Sequence, residues 1–406
     1  MSLASRVVML TVRLATLATT GALLASLALP ANAQERPSVN VGSHIELDFT
    51  ARFDADVRLA TDAIGMDGAD VDLDHRRVGV EGSIAKSVDF QVERDLVADG
   101  SWRDVFVNVR HNKAFEVQAG RFKIPFGREA LQSGKNIDFV RRALISTQLA
   151  PGRDTGIMAH GRLAGRRLRY SAGFFGGGGD NSRTSTTEGA GRTIAGRVVF
   201  VPLTQSGGST DGRLQIGAGV TDDDLRDVLG LRGRTAFGDD VFFDRVYVNG
   251  RRLRYGVDAV WNRGPVSLSS EYMAVTDARR GMGVDGQNLD PVHAGGWYLA
   301  ATWALTGEDK SGRLEPRRNV PHGPGAIELV LRVEQLRFGA VELPAGKQVS
   351  TNADQVTTAG LNWNLNHYLR LQGNLVMESV DDPERSPAPT TIGRFIGAVF
   401  RLQFSL

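Results

Sequence analysis

The 406-residue chain carries 48 lysine and arginine residues against 46 aspartate and glutamate residues, so its formal net charge is only +2. This balance disfavours a nucleic-acid-binding protein, which normally carries a basic excess. The chain contains no cysteine, which excludes structural disulfides, thiol catalysis and cysteine-ligated zinc.

The N-terminus has the pattern of a secretory signal peptide. Arg6 and Arg13 come before the apolar stretch LATLATTGALLASLAL, and Ala31 and Ala33 form a small-x-small cleavage site. We predict a signal peptide over residues 1–33 and one mature domain over residues 34–406, with a retained membrane anchor as the alternative. Because residues 1–33 hold two arginines and no acid, the mature domain has 46 basic and 46 acidic side chains.

The first segment of the mature domain alternates between apolar and polar residues over residues 44–57. Ile45 and Phe49 belong to its apolar face, whereas Glu46 and Asp48 belong to its polar face. Successive side chains of a strand point to opposite faces, so this pattern predicts a β-strand. The same alternation recurs in the segments LQIGAGV, LRYGVDAVW, VSLSSEYMA, WYLAATWAL, IELVLRV and, at the end of the chain, AVFRLQFSL.

The connections between these strands alternate in length. NRGP and NHY are short turns, whereas residues 176–192 and 378–394 form long polar loops. Transmembrane barrels have short turns on the periplasmic side and long loops outside. With roughly 20–24 residues for each strand and its connection, the mature domain accommodates about 16 strands.

A membrane barrel explains the pattern better than a soluble β-sandwich or solenoid, which are the alternatives. After the signal peptide no run of 18 apolar residues occurs that would span a membrane as a helix. Tyrosine and tryptophan often stand at strand ends on the apolar face, as interfacial girdles require. The last strand is placed to pair with the first and remove the open edge. We therefore predict an all-β fold, a transmembrane antiparallel β-barrel.

The segment FEVQAGRFKIPFGREALQSGKNIDFVRRALI begins as a strand and then becomes a long basic loop. Together with HRRVGVEG, WYLAATWALTGED, LNWNLNHYLRLQGN and the terminal RLQFSL, it resembles the phosphate-selective porin O and P family. The resemblance implies a 16-stranded outer-membrane barrel of a Gram-negative bacterium, usually trimeric. An inward-folded constriction loop would narrow its pore, which passes anions such as phosphate between arginines and lysines.

The resemblance and the strand pattern give a set of candidate pore-lining residues. Arg76 and Arg77 match an arginine pair of the family, although strand parity favours Arg77 as the one facing the lumen. Lys135 matches a lysine of the inward-folded loop, and Glu129 matches an acid that would pair with a base of that loop. The full set of candidates is Arg76, Arg77, Lys123, Lys135, Arg141, Arg142, Arg226, Arg232 and Arg234. Ordinary surface or loop positions are the alternative for each.

Other features weaken the predicted anion preference. Residues 222–240 occupy the place of an arginine-rich external loop that would funnel anions, but they also contain six aspartates. His44 stands where the family's first strand carries an arginine, and Ala130 replaces a lysine of the loop. The polar face of the first strand is acidic at Asp54 and Asp56. We therefore expect a modest anion preference, with phosphate specificity open.

Three functions compete on these observations. The first is a passive channel for small hydrophilic solutes with a preference for anions, possible partners being phosphate or polyphosphate, outer-membrane lipid and two further copies of the chain. The second is a general or carbohydrate-type porin, for which Tyr298 alone has the parity of an aromatic lumen residue. The third, an outer-membrane hydrolase, is disfavoured because the seven histidines are scattered and no G-x-S-x-G or H-E-x-x-H motif occurs. No cofactor is predicted.

Overall fold

The computed structural model describes residues 37–60, 69–96, 101–179, 190–203, 212–310, 312–340, 351–381 and 393–406. The predicted signal peptide, residues 1–33, lies outside them. Within the described residues, sixteen long strands form one sheet. They are β1 Ile45–Ala60, β2 Ala69–Ile84, β3 Val88–Asp95, β4 Trp102–Asn112, β5 Phe115–Lys123, β6 Arg153–Leu163, β7 Leu168–Phe175, β8 Ala190–Leu203, β9 Arg213–Leu229, β10 Tyr247–Arg263, β11 Val266–Arg279, β12 Leu289–Ala304, β13 Ala326–Ala340, β14 Asn352–Asn364, β15 Leu369–Val380 and β16 Arg394–Ser405.

Each strand pairs antiparallel with the next one along the chain, and the last strand pairs with the first. β16 aligns with β1 from Gly397 opposite Ala60 to Ser405 opposite Arg52. The sheet therefore closes on itself, which confirms the predicted antiparallel barrel of sixteen strands. No helix in the described part of the chain is long and apolar enough to cross a membrane.

The two faces of each strand differ as the alternation predicts. On β15 and β16, Leu375 and Phe400 are 47% and 46% exposed on the outer face. The intervening Arg401 and Gln403 are buried on the inner face. Because the outer face meets hydrocarbon in a membrane, apolar side chains lie there and polar ones turn inward.

Connection lengths separate the two ends of the barrel. One end, called here the short-turn end, has connections such as residues 85–87, 113–114 and 264–265. The other end, called here the long-loop end, carries the connections that follow β1, β3, β5 and the later odd-numbered strands. Residues 305–325 are an exception, because this long segment connects β12 to β13 at the short-turn end.

A short strand, Ser38–Val41, covers the part of β1 that extends beyond the end of β16. It pairs with β1 from Val41 opposite Ile45 to Ser38 opposite Asp48. The main-chain N–H of Leu406 donates to the carbonyl oxygen of Ala51 at 2.9 Å, so β16 and the short strand lie along the same edge of β1. Main-chain groups of β1 thus find partners along its whole length.

Two loops from the long-loop end fold into the barrel. The constriction loop, residues 124–152, contains α1 Arg128–Leu131, a 3₁₀ turn Gly134–Asn136 and α2 Leu144–Gln148. This confirms the predicted inward-folded loop. The second inward loop, residues 230–246, contains a two-stranded ladder between Gly233–Arg234 and Val241–Phe243.

The second inward loop differs from the expectation for residues 222–240. Residues up to 229 continue β9, and the rest of the segment turns into the barrel because its apolar side chains find an apolar wall there. Phe237, Phe242 and Phe243 are buried, and Phe237 packs on Phe395 of β16 with ring centroids 5.8 Å apart. A funnel-like external loop is therefore not what this segment forms.

The two inward loops share one apolar core with the inner face of β10–β16. Phe139, Ile145 and Phe237 belong to this core with the wall residues Met273 and Leu336. Burial of such side chains contributes about 1.5–3 kcal/mol each. This half of the barrel interior is consequently packed.

Candidate functional site: the lumen cavity

The open space inside the barrel is a cavity of about 1000 Å³, called here the lumen cavity. It lies between β1–β6, the adjoining part of β16 and the two inward loops. Ten basic and five acidic side chains line it. They are Arg52, Arg58, Arg77, Arg103, Lys123, Lys135, Arg141, Arg142, Arg153 and Arg401, with Asp74, Glu81, Glu93, Asp104 and Asp239.

Wall carboxylates hold the constriction loop at the N-terminal ends of its helices. The main-chain N–H groups of Arg128 and Glu129 donate to Glu271 Oε1 and Oε2 at 2.5 and 3.2 Å. The N–H of Leu144 donates to Glu334 Oε2 at 2.6 Å. The first N–H groups of a helix have no partner within the helix, so these glutamates satisfy them and attach the loop to β11 and β13.

Glu129 and Arg332 form a second attachment. Glu129 Oε2 accepts the N–H of Ala143 at 2.7 Å, and its other oxygen lies 3.5 Å from Arg332 Nη1. Arg332 also pairs with Glu334 at 2.8 Å and lies over the Phe139 ring at 4.5 Å. Glu129 thus pairs with a base of the wall rather than with a base of its own loop.

The second inward loop is fastened to the wall and to the constriction loop. Glu378 of β15 accepts the N–H groups of Ala236 and Phe237, the latter at 3.0 Å. Gln148 and Arg234 exchange two hydrogen bonds of 2.5 and 2.7 Å between side-chain amide and main chain. The two loops therefore form one body that narrows the lumen.

Three basic side chains of the lumen cavity are held by main-chain oxygens. Lys123 Nζ donates to the carbonyls of residues 130, 131 and 132 at 2.8 to 3.2 Å. Arg142 donates to the carbonyls of Glu129 and Gln132, and Arg141 donates to that of Ala236 at 2.8 Å. Carbonyl oxygens satisfy hydrogen bonds without cancelling a full charge. Within the described residues these three cations form no ion pair.

The charge on Arg142 persists at neutral pH. Burial of its guanidinium lowers the pKa of Arg142 to about 10, against the opposing effect of Glu129. A group with this pKa is almost fully protonated at pH 7. Arg142 therefore presents positive charge to the lumen cavity. Lys123 donates to three carbonyl oxygens, which requires the three N–H groups of the protonated ammonium.

Most arginines on the wall of the lumen cavity are paired instead. Arg77 Nε lies 3.0 Å from Asp95, Arg153 Nη2 lies 2.6 Å from Asp104, and Arg52 pairs with Asp54. Arg401 makes two contacts of 2.6 Å with Asp56. Ion pairs of this kind fix side chains and contribute little net field to the cavity.

Asp54, Asp74 and His75 lie close enough together to resemble a metal site. His75 Nδ1 is 3.1 Å from Asp54 and 2.8 Å from Asp74. However, Arg401 already contacts Asp74 at 2.6 Å and Asp54 at 3.3 Å. The guanidinium occupies the place of a cation, so the donor set fits a charge network rather than a metal ion.

Comparison with known proteins agrees with this arrangement. The family model for phosphate-selective porin O and P matches residues 39–406. The chain belongs to the phosphate-selective porin O and P family. Porin O of Pseudomonas aeruginosa is similar to it, with 24% identity over 219 residues that span 46% of the chain and 47% of that protein. The match thus covers about half the length of this curated relative.

Solved structures show the porin fold at low sequence identity. OmpT of Vibrio cholerae, an outer membrane protein, has a TM-score of 0.58 at 11% identity, covering 91% of this chain and 100% of OmpT. The outer membrane channel DcaP of Acinetobacter baumannii has 0.54 at 11% identity, covering 91% and 99%. The anion-selective porin from Comamonas acidovorans has 0.50 at 14% identity, covering 89% and 100%. These matches concern the fold alone. Family membership points to a channel rather than to an enzyme.

The structure brings five of the nine sequence-predicted residues to the lumen cavity of this porin. They are Arg77, Lys123, Lys135, Arg141 and Arg142. Arg76 does not face it, because Arg76 stands opposite the outward-facing Phe53 and so lies on the outer face of β2. This agrees with the parity that favours Arg77.

The three arginines of residues 222–240 are not among the residues that line the lumen cavity. Arg226 is on an exposed part of β9, with its side chain 76% exposed and 3.4 Å from Asp224. Arg234 pairs with Asp239 on the second inward loop, and Arg232 lies half-buried on the same loop. None of the three lines the narrow part of this porin.

Five basic lining residues were not among the predicted set: Arg52, Arg58, Arg103, Arg153 and Arg401. Strand parity alone places Arg52 and Arg401 on the polar faces of the first and last strands. Arg103 and Arg153 lie where β4 and β6 begin at the long-loop end. Near a strand end, parity does not reliably predict which face a side chain occupies.

Lys310 connects the short-turn end of this porin to the constriction loop. Its Nζ lies 2.5 Å from Asp138 and 2.7 Å from Glu328. Burial opposes the charge, but the two carboxylates raise the pKa of Lys310 above its ordinary value. Its stabilising contribution is therefore complete at neutral pH and is lost only as the pH rises through this elevated pKa.

We expect Lys310→Met to lower the free energy of unfolding by about 3–5 kcal/mol, because Asp138 and Glu328 lose their buried partner. The measurement is the temperature at which folded, unboiled protein loses its anomalous mobility on a detergent gel. Arg317→Met, an exposed change in the same segment, is the control. If both variants lost this mobility at the same temperature, Lys310 would not stabilise the barrel through Asp138 and Glu328.

Proposed function

We propose that this protein is an outer-membrane diffusion channel for small hydrophilic solutes with a preference for anions, phosphate among them. The observation that carries the proposal is the set of carbonyl-held cations, Lys123, Arg141 and Arg142, beside the lumen cavity. An anion entering this narrow space finds three cations that form no direct ion pair with a described carboxylate.

The chemistry of the lining supports passage of oxyanions. Charged side chains at a constriction determine which ions pass, because the ion exchanges part of its hydration for them. A guanidinium donates two parallel hydrogen bonds to two oxygens of a phosphate, and a lysine adds a point charge. The lumen cavity is lined by ten basic and five acidic side chains, and this positive excess also favours anions.

The relatives support the proposed ion preference, assembly and membrane location of this channel. The matched family is described as phosphate-selective, one structural neighbour is described as anion-selective, and one OmpT structure is described as a trimer form. We propose that the chain is exported by the signal peptide of residues 1–33 and assembles as a homotrimer in the outer membrane of a Gram-negative bacterium.

A general porin without anion specificity is the second candidate, because ion pairs neutralise many wall arginines such as Arg77 and Arg153. A carbohydrate-type channel has less support. Tyr298, the residue with suitable parity, is only 2% exposed and belongs to the core beneath the constriction loop. It offers no aromatic surface to a sugar in the lumen cavity.

The proposal is tested with the purified, folded protein in planar lipid bilayers. The reversal potential in a potassium chloride gradient gives the ratio of chloride to potassium permeability, and phosphate is then titrated into chloride at constant ionic strength. We expect a ratio above one and a chloride current that falls as phosphate occupies the constriction. A ratio above one without any effect of phosphate would support anion preference alone, and a ratio of one or below would favour the general porin.

A further inference from the structure

The outer face of β2–β5 carries three arginines that the channel does not use. Arg76, Arg94 and Arg121 lie on neighbouring strands, with Trp102 between the last two. We call these four residues the rim patch. Outward-facing residues below it, such as Val92, are apolar and exposed.

The contacts within the rim patch hold its side chains on the same face. Arg94 and Trp102 stand opposite each other, and the Arg94 guanidinium lies over the indole ring at 5.2 Å from its centroid. Arg121 Nε donates to the carbonyl oxygen of Trp102 at 3.1 Å. Arg76 lies beside them, because its carbonyl accepts the N–H of Leu96 at 2.6 Å. Its Nε is buried without a hydrogen-bond partner in the part of the chain that the structure describes.

The rim patch lies near the long-loop ends of its strands. Arg94 is the seventh of eight residues of β3, and Arg121 is the seventh of nine residues of β5, counted from the short-turn end. Trp102 begins β4 at the long-loop end, where tryptophans mark a membrane interface.

Arg76 and Arg94 of the rim patch differ from those outward arginines that have an acidic partner. Arg251, for example, has Asp222 at 2.8 Å, and Arg337 has Asp381 at 3.9 Å. Neither Arg76 nor Arg94 forms an ion pair with a described residue. An arginine on the lipid-facing side of a barrel is costly at depth and acceptable near the interface. Its cost falls further when a headgroup anion supplies a partner.

We propose that the rim patch binds the phosphate headgroup of an anionic lipid in the outer leaflet, with the acyl chains along the apolar residues below. Guanidinium groups bind phosphate through paired hydrogen bonds, and tryptophan is suited to the level of the headgroups. A second copy of the chain fits less well, because the acidic residues on the described outer face, such as Asp222, already contact arginines of their own. The inference rests on the proposed membrane orientation, with long loops outside.

The test uses the full-length mature protein in neutral detergent with bisphosphorylated lipid A as the probe. Native mass spectrometry gives the bound lipid and the number of subunits together. We expect Arg76→Gln/Arg94→Gln to bind lipid A roughly tenfold more weakly, or worse, than the unchanged protein. The control is Arg251→Gln/Arg337→Gln, which removes two outward arginines that have acidic neighbours and should bind lipid A normally.

Three outcomes would overturn the proposal. One is equal binding by the patch variant and the control. Another is a change in subunit number in the patch variant with unchanged lipid binding, since the rim patch would then be a contact between copies. The third is displacement of lipid A by inorganic phosphate alone, which would identify a free-phosphate site. The reversal potential of the patch variant, measured in parallel, should be unchanged, so failure of anion selectivity and failure of lipid binding are separate results.

Discussion

Replacing Lys123, Arg141 and Arg142 together with glutamine should lower the ratio of chloride to potassium permeability about tenfold, since a change of about 1.4 kcal/mol in relative ion energy is sufficient. The physical reason is that these cations face the lumen cavity and are held by carbonyl oxygens. Their removal subtracts three positive charges, while glutamine can still donate a hydrogen bond to the same carbonyls. The reversal potential in a potassium chloride gradient measures the effect.

The matched control is Arg77→Gln/Asp95→Asn. This pair lines the same region with Arg77 Nε 3.0 Å from Asp95, and the double change removes one positive and one negative charge. We expect the permeability ratio to stay near that of the unchanged protein, although the polar lining is altered. If the control and the triple variant lost selectivity equally, local packing rather than uncompensated charge would govern the ion preference.

Arg332→Ala should detach the constriction loop from the barrel wall and raise the single-channel conductance. Arg332 pairs with Glu334 at 2.8 Å, lies 3.5 Å from Glu129 and donates to the carbonyl of Arg141 at 3.1 Å. Removing it leaves two buried carboxylates without their partner, a loss of about 3–5 kcal/mol in the local structure. The loop would then no longer fill its half of the barrel.

Single-channel recording measures the conductance of Arg332→Ala, and passage of larger neutral solutes reports the width of the pore. Arg332→Lys keeps the charge and should remain close to the unchanged protein, which separates loss of the attachment from failure to fold. Arg337→Ala is the surface control, because its side chain is 59% exposed and its partner Asp381 is 3.9 Å away. An unchanged conductance in folded Arg332→Ala would show that Glu271 and Glu334 hold the loop without it.

The difference between Arg76 and Arg77 shows what strand parity predicts. The apolar Val78 lies next to Arg77, so alternation turns Arg77 inward and Arg76 outward, and the structure has both on those faces. Parity depends only on the two-residue repeat of a strand, which holds wherever the pairing is regular. It is less useful at strand ends such as Arg153.

The partners of the constriction loop show what parity cannot predict. Arg128 meets Glu271, which is 143 residues away, and Val140 meets Asn374, which is 234 residues away. Nothing local in the sequence marks these pairs. An inward glutamate has the same position in the alternation whether it contacts a loop or the water of the lumen. One sequence signal of the packed half is the presence of Leu336 and Phe338 at inward positions of β13. Polar residues are expected at such positions where the wall faces water.

By itself, the sequence determined that alternating strands form one barrel with an apolar exterior, because a two-residue repeat and the cost of unpaired main chain in lipid leave few other solutions. It also supplied the arginines and lysines of the lining. Only the tertiary structure decided which inward residues meet water. Two loops pack on one half of the inner wall and bury its charges, so the lumen cavity lies between these loops and the other half, with Lys123, Arg141 and Arg142 beside it.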